Sequence, residues 1–417
     1  MYSIAAILLV YIKERRITPG ALLIAQLSLP TIGFQLLQTQ NGDVPKGWLV
    51  LIAPLLVAMG MCLGPKRAKS EVDLRELRPD ISDFLKHAFW ILGILAVLHF
   101  AIGGIPVFSA SVETERFNLG GSGLGGFPSR AVLYAIPAMA LLSLSTVTER
   151  TMKSTIAIWI LYISTQLALG FKGAVLEIIL LAAIAYLIRI TRPKLRHIAI
   201  FALGLSAALL YVEIVRSLYA TTSSGSDNVS YLIERSTTQA IESGYLALWY
   251  APEFSTGDSA FWHDFQQLIA RYVGMADSGD YTFDMLMSSI VTGTPLGVGM
   301  FIVPVTVGGT VYLMFSLEAS FVVPALIAIG WIWTWAISAI RQHASIFVAI
   351  LSCVAIIGLR MFLLNGNGAY LLINLAFVIV MLWICALPSW YQSDSRSDGF
   401  LRLNRAPGAM ATRYSNG

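Results

Sequence analysis

The chain has 417 residues, of which 56% are hydrophobic and only 12% charged, with a mean hydropathy of +0.71 and a formal net charge of +4. Soluble domains carry about twice that share of charge, so composition excludes a soluble globular protein and points to an integral membrane protein. The three cysteines, Cys62, Cys353 and Cys385, fall inside apolar stretches without metal-ligand spacing, which argues against a disulfide framework or a zinc site.

Taken in chain order, apolar stretches at about 1–12, 19–38, 47–64, 87–103, 131–147, 154–169, 173–190, 197–216, 317–340, 345–364 and 369–390 read as eleven spans. Their lengths suit helices rising 1.5 Å per residue across a hydrocarbon layer of about 30 Å, not the short alternating strands of a barrel. Residues 1–12 lack the basic start and small-residue cleavage site of a secretory signal, so no cleavable leader is expected. The stretch 296–316 is apolar but broken by Pro304 and Gly308–Gly309. A re-entrant or interface-lying segment is the preferred reading, because broken backbone at membrane depth must be buried in protein or line a cavity. The alternative, a twelfth span, would carry Arg341, His343 and the tail arginines to the opposite side.

With eleven spans the connections alternate in charge. One set holds Lys13, Arg15, Arg16, Lys66, Arg67, Lys69, Arg75, Arg78, Lys86, Arg150, Lys153, Arg189, Arg192, Lys194, Arg196 and Arg341, and the positive-inside rule makes it cytoplasmic. The N-terminus is then expected outside, the C-terminus inside, and both long polar excursions, 104–130 and 217–316, outside. The expected fold is all-α: a polytopic membrane helix bundle of about 11 spans with a large extracytoplasmic loop containing short helices and a re-entrant segment. Four regions follow: N-terminal membrane helices over 1–216, the long outer loop over 217–316, C-terminal membrane helices over 317–392, and a disordered cytoplasmic tail over 393–417.

The longest cytoplasmic connection, residues 65–86, is too short for a nucleotide-binding domain, and no Walker-type loop or dinucleotide fingerprint occurs. Ionisable groups gather instead toward the outer level of the spans, with Lys172 and Glu177 on the seventh, Glu213 and Arg216 on the eighth and Arg360 on the tenth. Each such group costs about 2.5–3.5 kcal/mol near a helix centre on insertion scales, so it is expected to face a cavity or a partner. Glu213 and Arg216, at i and i+3, can also neutralise each other. The first outer loop, GGIPVFSASVETERFNLGGSGLGGFPSR, joins a glycine-rich backbone to Glu113, Glu115 and Arg116. That combination can present N–H groups and a guanidinium to an anion. His99 reads as a packed core histidine. The long outer loop shows helical spacing in YLIERSTTQAIESGYLALWY and FWHDFQQLIARYVGM. Between 217 and 300 it carries nine acids against Arg235 and Arg271, interleaved with aromatics such as Trp249 and Trp262. Carboxylates beside aromatic rings suit the hydroxyls and apolar faces of sugars, although interfacial aromatics on a solvated loop give the same pattern.

The segment GGIPVFSASVETERFNLGG directly after a span, the tight outer turn LGFKG with its basic residue, and the long outer loop after a span ending in Arg216 resemble the bacterial oligosaccharide repeat-unit polymerases, the Wzy-type O-antigen and exopolysaccharide polymerases. The Arg-x10-Gly pattern of some members is absent here. The resemblance implies a metal-independent glycosyltransferase without cofactors at the outer face of the bacterial inner membrane. Such an enzyme moves a growing glycan from undecaprenyl diphosphate onto a new lipid-linked repeat unit. A diphosphate leaving group needs preorganised cations, for which Arg116, Lys172, Arg216 and Arg360 are the candidates. A base must take the proton of the incoming hydroxyl, and Glu113, Glu115, Glu213, Asp264 and His263 remain open for that role. Glu113, Glu115, Arg116 and Glu213 form the expected catalytic set, and Arg235, Arg271, Trp249, Trp262, His263 and Asp264 the expected glycan contacts. The implied partners are a lipid-linked oligosaccharide, the membrane and a chain-length regulator, with no nucleic acid. A lipid-linked glycan ligase shares donor and architecture and differs in acceptor. A polysaccharide transporter or flippase would spread charge through the bundle and show inverted repeats, which the sequence does not.

Overall fold

The computed structural model describes residues 2–14, 18–65, 79–108, 126–170, 174–189, 238–254, 260–272, 283, 286, 308–342, 345–366 and 368–403. These form helices without a strand among the described residues. They are α1 (Tyr2–Glu14), α2 (Pro19–Asn41), α3 (Trp48–Leu63), α4 (Pro79–Gly103) and α5, built from the consecutive segments Gly126–Arg130, a π turn Ala131–Ala135 and Ile136–Ser145. Then follow α6 (Met152–Ala168), α7 (Ala174–Arg189), α8 (Thr238–Phe254), α9 (Ala260–Tyr272), α10 (Gly309–Ser316), α11 (Ala319–Arg341), α12 (Ile346–Asn365) and α13 (Gly368–Leu403). Local signals set the starts. The Thr18 hydroxyl accepts from the Ala21 amide ahead of Pro19 at the first turn of α2, and the Ser345 hydroxyl accepts from Val348 at the start of α12.

Among the described residues five helices are long and apolar enough to cross a membrane: Pro19–Asn41, Ile81–Gly103, Pro128–Ser145, Ser320–Arg341 and Ile346–Asn365. Other expected spans appear as shorter helices, with 16 residues in α3, 17 in α6 and 16 in α7. The expected eighth span, 197–216, lies outside the described residues. Within 296–316 only the last part is described. There α10, eight residues and thus about 12 Å of helix, ends in an extended break at Leu317 before α11 begins. α13 runs as helix to Leu403, into the stretch 393–417 read from the sequence as a tail. Past Pro388 no proline interrupts the chain before Pro407, and a helix already nucleated propagates cheaply.

α5 lies at the centre of the bundle, its span being 83% buried, whereas the span of α4 is only 28% buried. Trp90, Ile94 and Val97 form an exposed apolar stripe at helical spacing on α4, a surface matched to lipid and far too apolar for water. The tightest helix pair is α3 with α11. A Cβ on Gly60 would run into the Ile327 backbone, one on Gly330 into the Val57 backbone, and one on Gly64 into Thr334. Small residues here let two backbones approach, the usual basis of association between helices in lipid.

The two ends of the bundle differ chemically. At one end Lys13 donates to the Met61 carbonyl at 2.7 Å, and Arg341 donates through Nε and Nη2 to the Ile188 and Leu187 carbonyls, both at 2.7 Å. These cations satisfy last-turn carbonyls of α3 and α7 and complement the helix dipoles. At the other end, the loop end, α8 packs on α2 and α10 on α3 and α12, with α9 against α10 and α13, around a separate apolar core that includes Phe34, Val50, Ile241, Tyr245, Phe283 and Tyr312. The Tyr245 hydroxyl donates to the Gly42 carbonyl at 2.8 Å, pinning α8 to the end of α2.

Candidate functional site

Arg360, the one arginine of α12 within its apolar run, has a side chain 8% exposed. A guanidinium at this depth requires partners, and two other helices provide them. Glu177, in the first turn of α7, takes both terminal nitrogens, Nη1 to Oε2 at 2.6 Å and Nη2 to Oε1 at 2.8 Å. Gln26 of α2 accepts from Nε through Oε1 at 3.0 Å. The result is a bidentate ion pair, the planar geometry that also fits phosphate. The Glu177 side chain is 45% exposed, so the pair has one sealed and one open member.

One turn toward the loop end lies a small cavity lined by Leu27, Pro30, Thr31, Val50, Ala53, Pro54, Ile241, Gly308, Gly309, Thr310, Val311, Leu363 and Leu364. Residues 360, 363 and 364 share a face of α12, and residues 26 and 30 share a face of α2, so Arg360 and Gln26 lie beneath its floor. Pro30 and Pro54 explain why space opens here. Each interrupts its helix and removes the N–H that the carbonyl four residues earlier, of Gln26 and of Val50, would have accepted. The roof is the start of α10, where Gly308 adopts φ 79°, a left-handed value that favours glycine.

The roof is fastened by Asp264 of α9. This carboxylate is 1% exposed, and its two oxygens accept from the Phe283 amide and from the Tyr312 hydroxyl, the latter at 2.9 Å. Burial pushes its pKa above the ordinary carboxylate value, opposed by these two hydrogen bonds and by His263. A second polar cluster joins α4, α5 and α13 at the same end. The Ser129 hydroxyl lies 3.2 Å from His99 Nδ1, Arg130 Nε donates to Asn374 Oδ1 at 2.7 Å, and the Arg130 guanidinium lies 4.8 Å from the centre of the Phe377 ring. His99 is buried, as its reading as a core histidine required.

Of the expected site residues, Glu113, Glu115, Arg116, Lys172, Glu213, Arg216 and Arg235 lie outside the described residues. Arg271 sits in the last turn of α9, its side chain outside the described set. Trp249 and Trp262 are exposed at 45% and 60%, accessible to a glycan, while Asp264 directs both oxygens inward and serves packing. His263 is part-exposed beside it, its Nδ1 3.9 Å from the carboxylate. Gln26 was missed, since one amide in an apolar run gives no signal until the facing helix is known. Glu177 stood out as an intramembrane charge, but not as the partner of Arg360.

No family model, characterised protein or solved structure matches this chain.

Proposed function

We propose that this chain is a membrane glycosyltransferase that polymerises undecaprenyl-diphosphate-linked oligosaccharide repeat units at the periplasmic face of a bacterial inner membrane. In this reading the bundle has eleven spans, the N-terminus is periplasmic, the C-terminus is cytoplasmic and the loop end faces outward. The observation that carries it is Arg360: an arginine sealed among helices, held in a planar fork and placed beneath a cavity at the end bearing the aromatic outer helices. Departure of a diphosphate develops negative charge, and a fixed cation at low dielectric stabilises it without reorganisation. Arg116, Lys172 and Arg216 are proposed to complete the cationic set. Glu113, Glu115 and Glu213 are proposed as the candidates for activating the acceptor hydroxyl. The exposed rings of Trp249 and Trp262 offer platforms for sugar faces.

The test uses a strain lacking its own polymerase, complemented with variants expressed at wild-type levels. Arg360→Ala and Arg116→Ala are expected to abolish long polymer while single capped repeat units persist. Arg360→Lys should be nearly as harmful as Ala, because an ammonium cannot reproduce the two-point contact. Full-length polymer from both alanine variants would refute the assignment. Deletion that leaves long carrier-linked chains would identify a ligase instead.

A further inference from the structure

The fork of Arg360 is filled from within the protein. Its two partners differ in freedom: the guanidinium is 8% exposed and held from behind by Gln26, whereas the Glu177 side chain is 45% exposed and has an open side. A carboxylate and a phosphate offer a guanidinium the same pair of oxygens, and a phosphate group with more charge competes well for that fork. A small cavity lies one helical turn away, under a roof closed by Gly308 and Val311. A buried charge stripped of its partner is costly, so an unliganded site needs an internal anion.

We propose that Glu177 is a resident stand-in for a phosphate-bearing ligand, which keeps Arg360 paired and aimed while the site is empty and yields the fork when a phosphate group arrives. This rests on reading Arg360 as the phosphate-binding cation, but not on which glycan is assembled. Competition of this kind lowers apparent affinity by the fraction of time the fork is free. It therefore also helps a phosphate-bearing product leave, because the carboxylate is at hand to take its place.

The full chain in lipid nanodiscs, titrated calorimetrically with inorganic pyrophosphate, tests the idea. Glu177→Gln retains an acceptor for the guanidinium but removes the competing charge, and should bind pyrophosphate roughly tenfold more tightly than wild type. Adding Arg360→Lys should abolish the gain. Gln26→Glu, which gives Arg360 a second internal carboxylate, should weaken binding by about as much, and it decides the matter if Glu177→Gln fails to fold. Unchanged or weaker binding by a folded Glu177→Gln protein, or unchanged binding by Gln26→Glu, overturns the proposal. Tighter pyrophosphate binding by a variant of a protein that makes no polymer would overturn the polymerase reading and leave this one standing.

Discussion

At the scale of single residues, the unequal exposure of Arg360 and Glu177 makes their removal unequal too. Glu177→Ala strands a buried guanidinium and is expected to cost about 3–5 kcal/mol, the range for breaking a buried pair from one side. Arg360→Ala leaves a carboxylate that can turn outward and should cost less; thermal unfolding in detergent would show the order of the two melting temperatures. Asp264 gives a prediction of a different kind. Burial raises its folded-state pKa above the unfolded value, so the folded state holds the proton more strongly. Its contribution to stability is full below the ordinary carboxylate pKa and is lost as pH rises through the raised value. Asp264→Asn should flatten that part of the stability profile, measured by unfolding at a series of acidic to neutral pH values. Arg360 stands out in the sequence as a candidate because it is a charge in an apolar run. It could not show that Gln26 completes the contact, since pairing across helices depends on which faces meet. The contact of Asp264 with Tyr312 is hidden for the same reason: nothing in FWHDF reveals that Tyr312 will lie against it.

At the scale of helices, apolar run length was the strongest signal, and α2, α4, α5, α11 and α12 lie where those runs predict them. The helical spacing read in the outer loop also appears as α8 and α9. What run length could not supply was the pairing of α3 with α11, because glycines such as Gly60 and Gly330 add nothing to hydropathy and matter only through the backbone they admit. Gly330→Val is expected to force these helices apart and abolish a monodisperse folded species in detergent. The equally apolar change Val323→Ile, on the same helix, should be tolerated. Size-exclusion profiles of the two variants would check this, since a Cβ at position 330 meets the Val57 backbone and backbone cannot rotate away.

At the scale of the whole chain, the two ends of the bundle carry different tasks. Lys13 and Arg341 close carbonyls of helix ends at one, and α8, α9 and α10 build a second core at the other. The Tyr245 contact to Gly42 gives α2 an unusual station. Its tip is gripped by a surface helix, its middle is weakened by Pro30, and its lower half touches Arg360 through Gln26, sixteen residues and about 24 Å from that grip. Such a rod is a lever with a pivot: a displacement of α8 is felt as a tilt at the arginine.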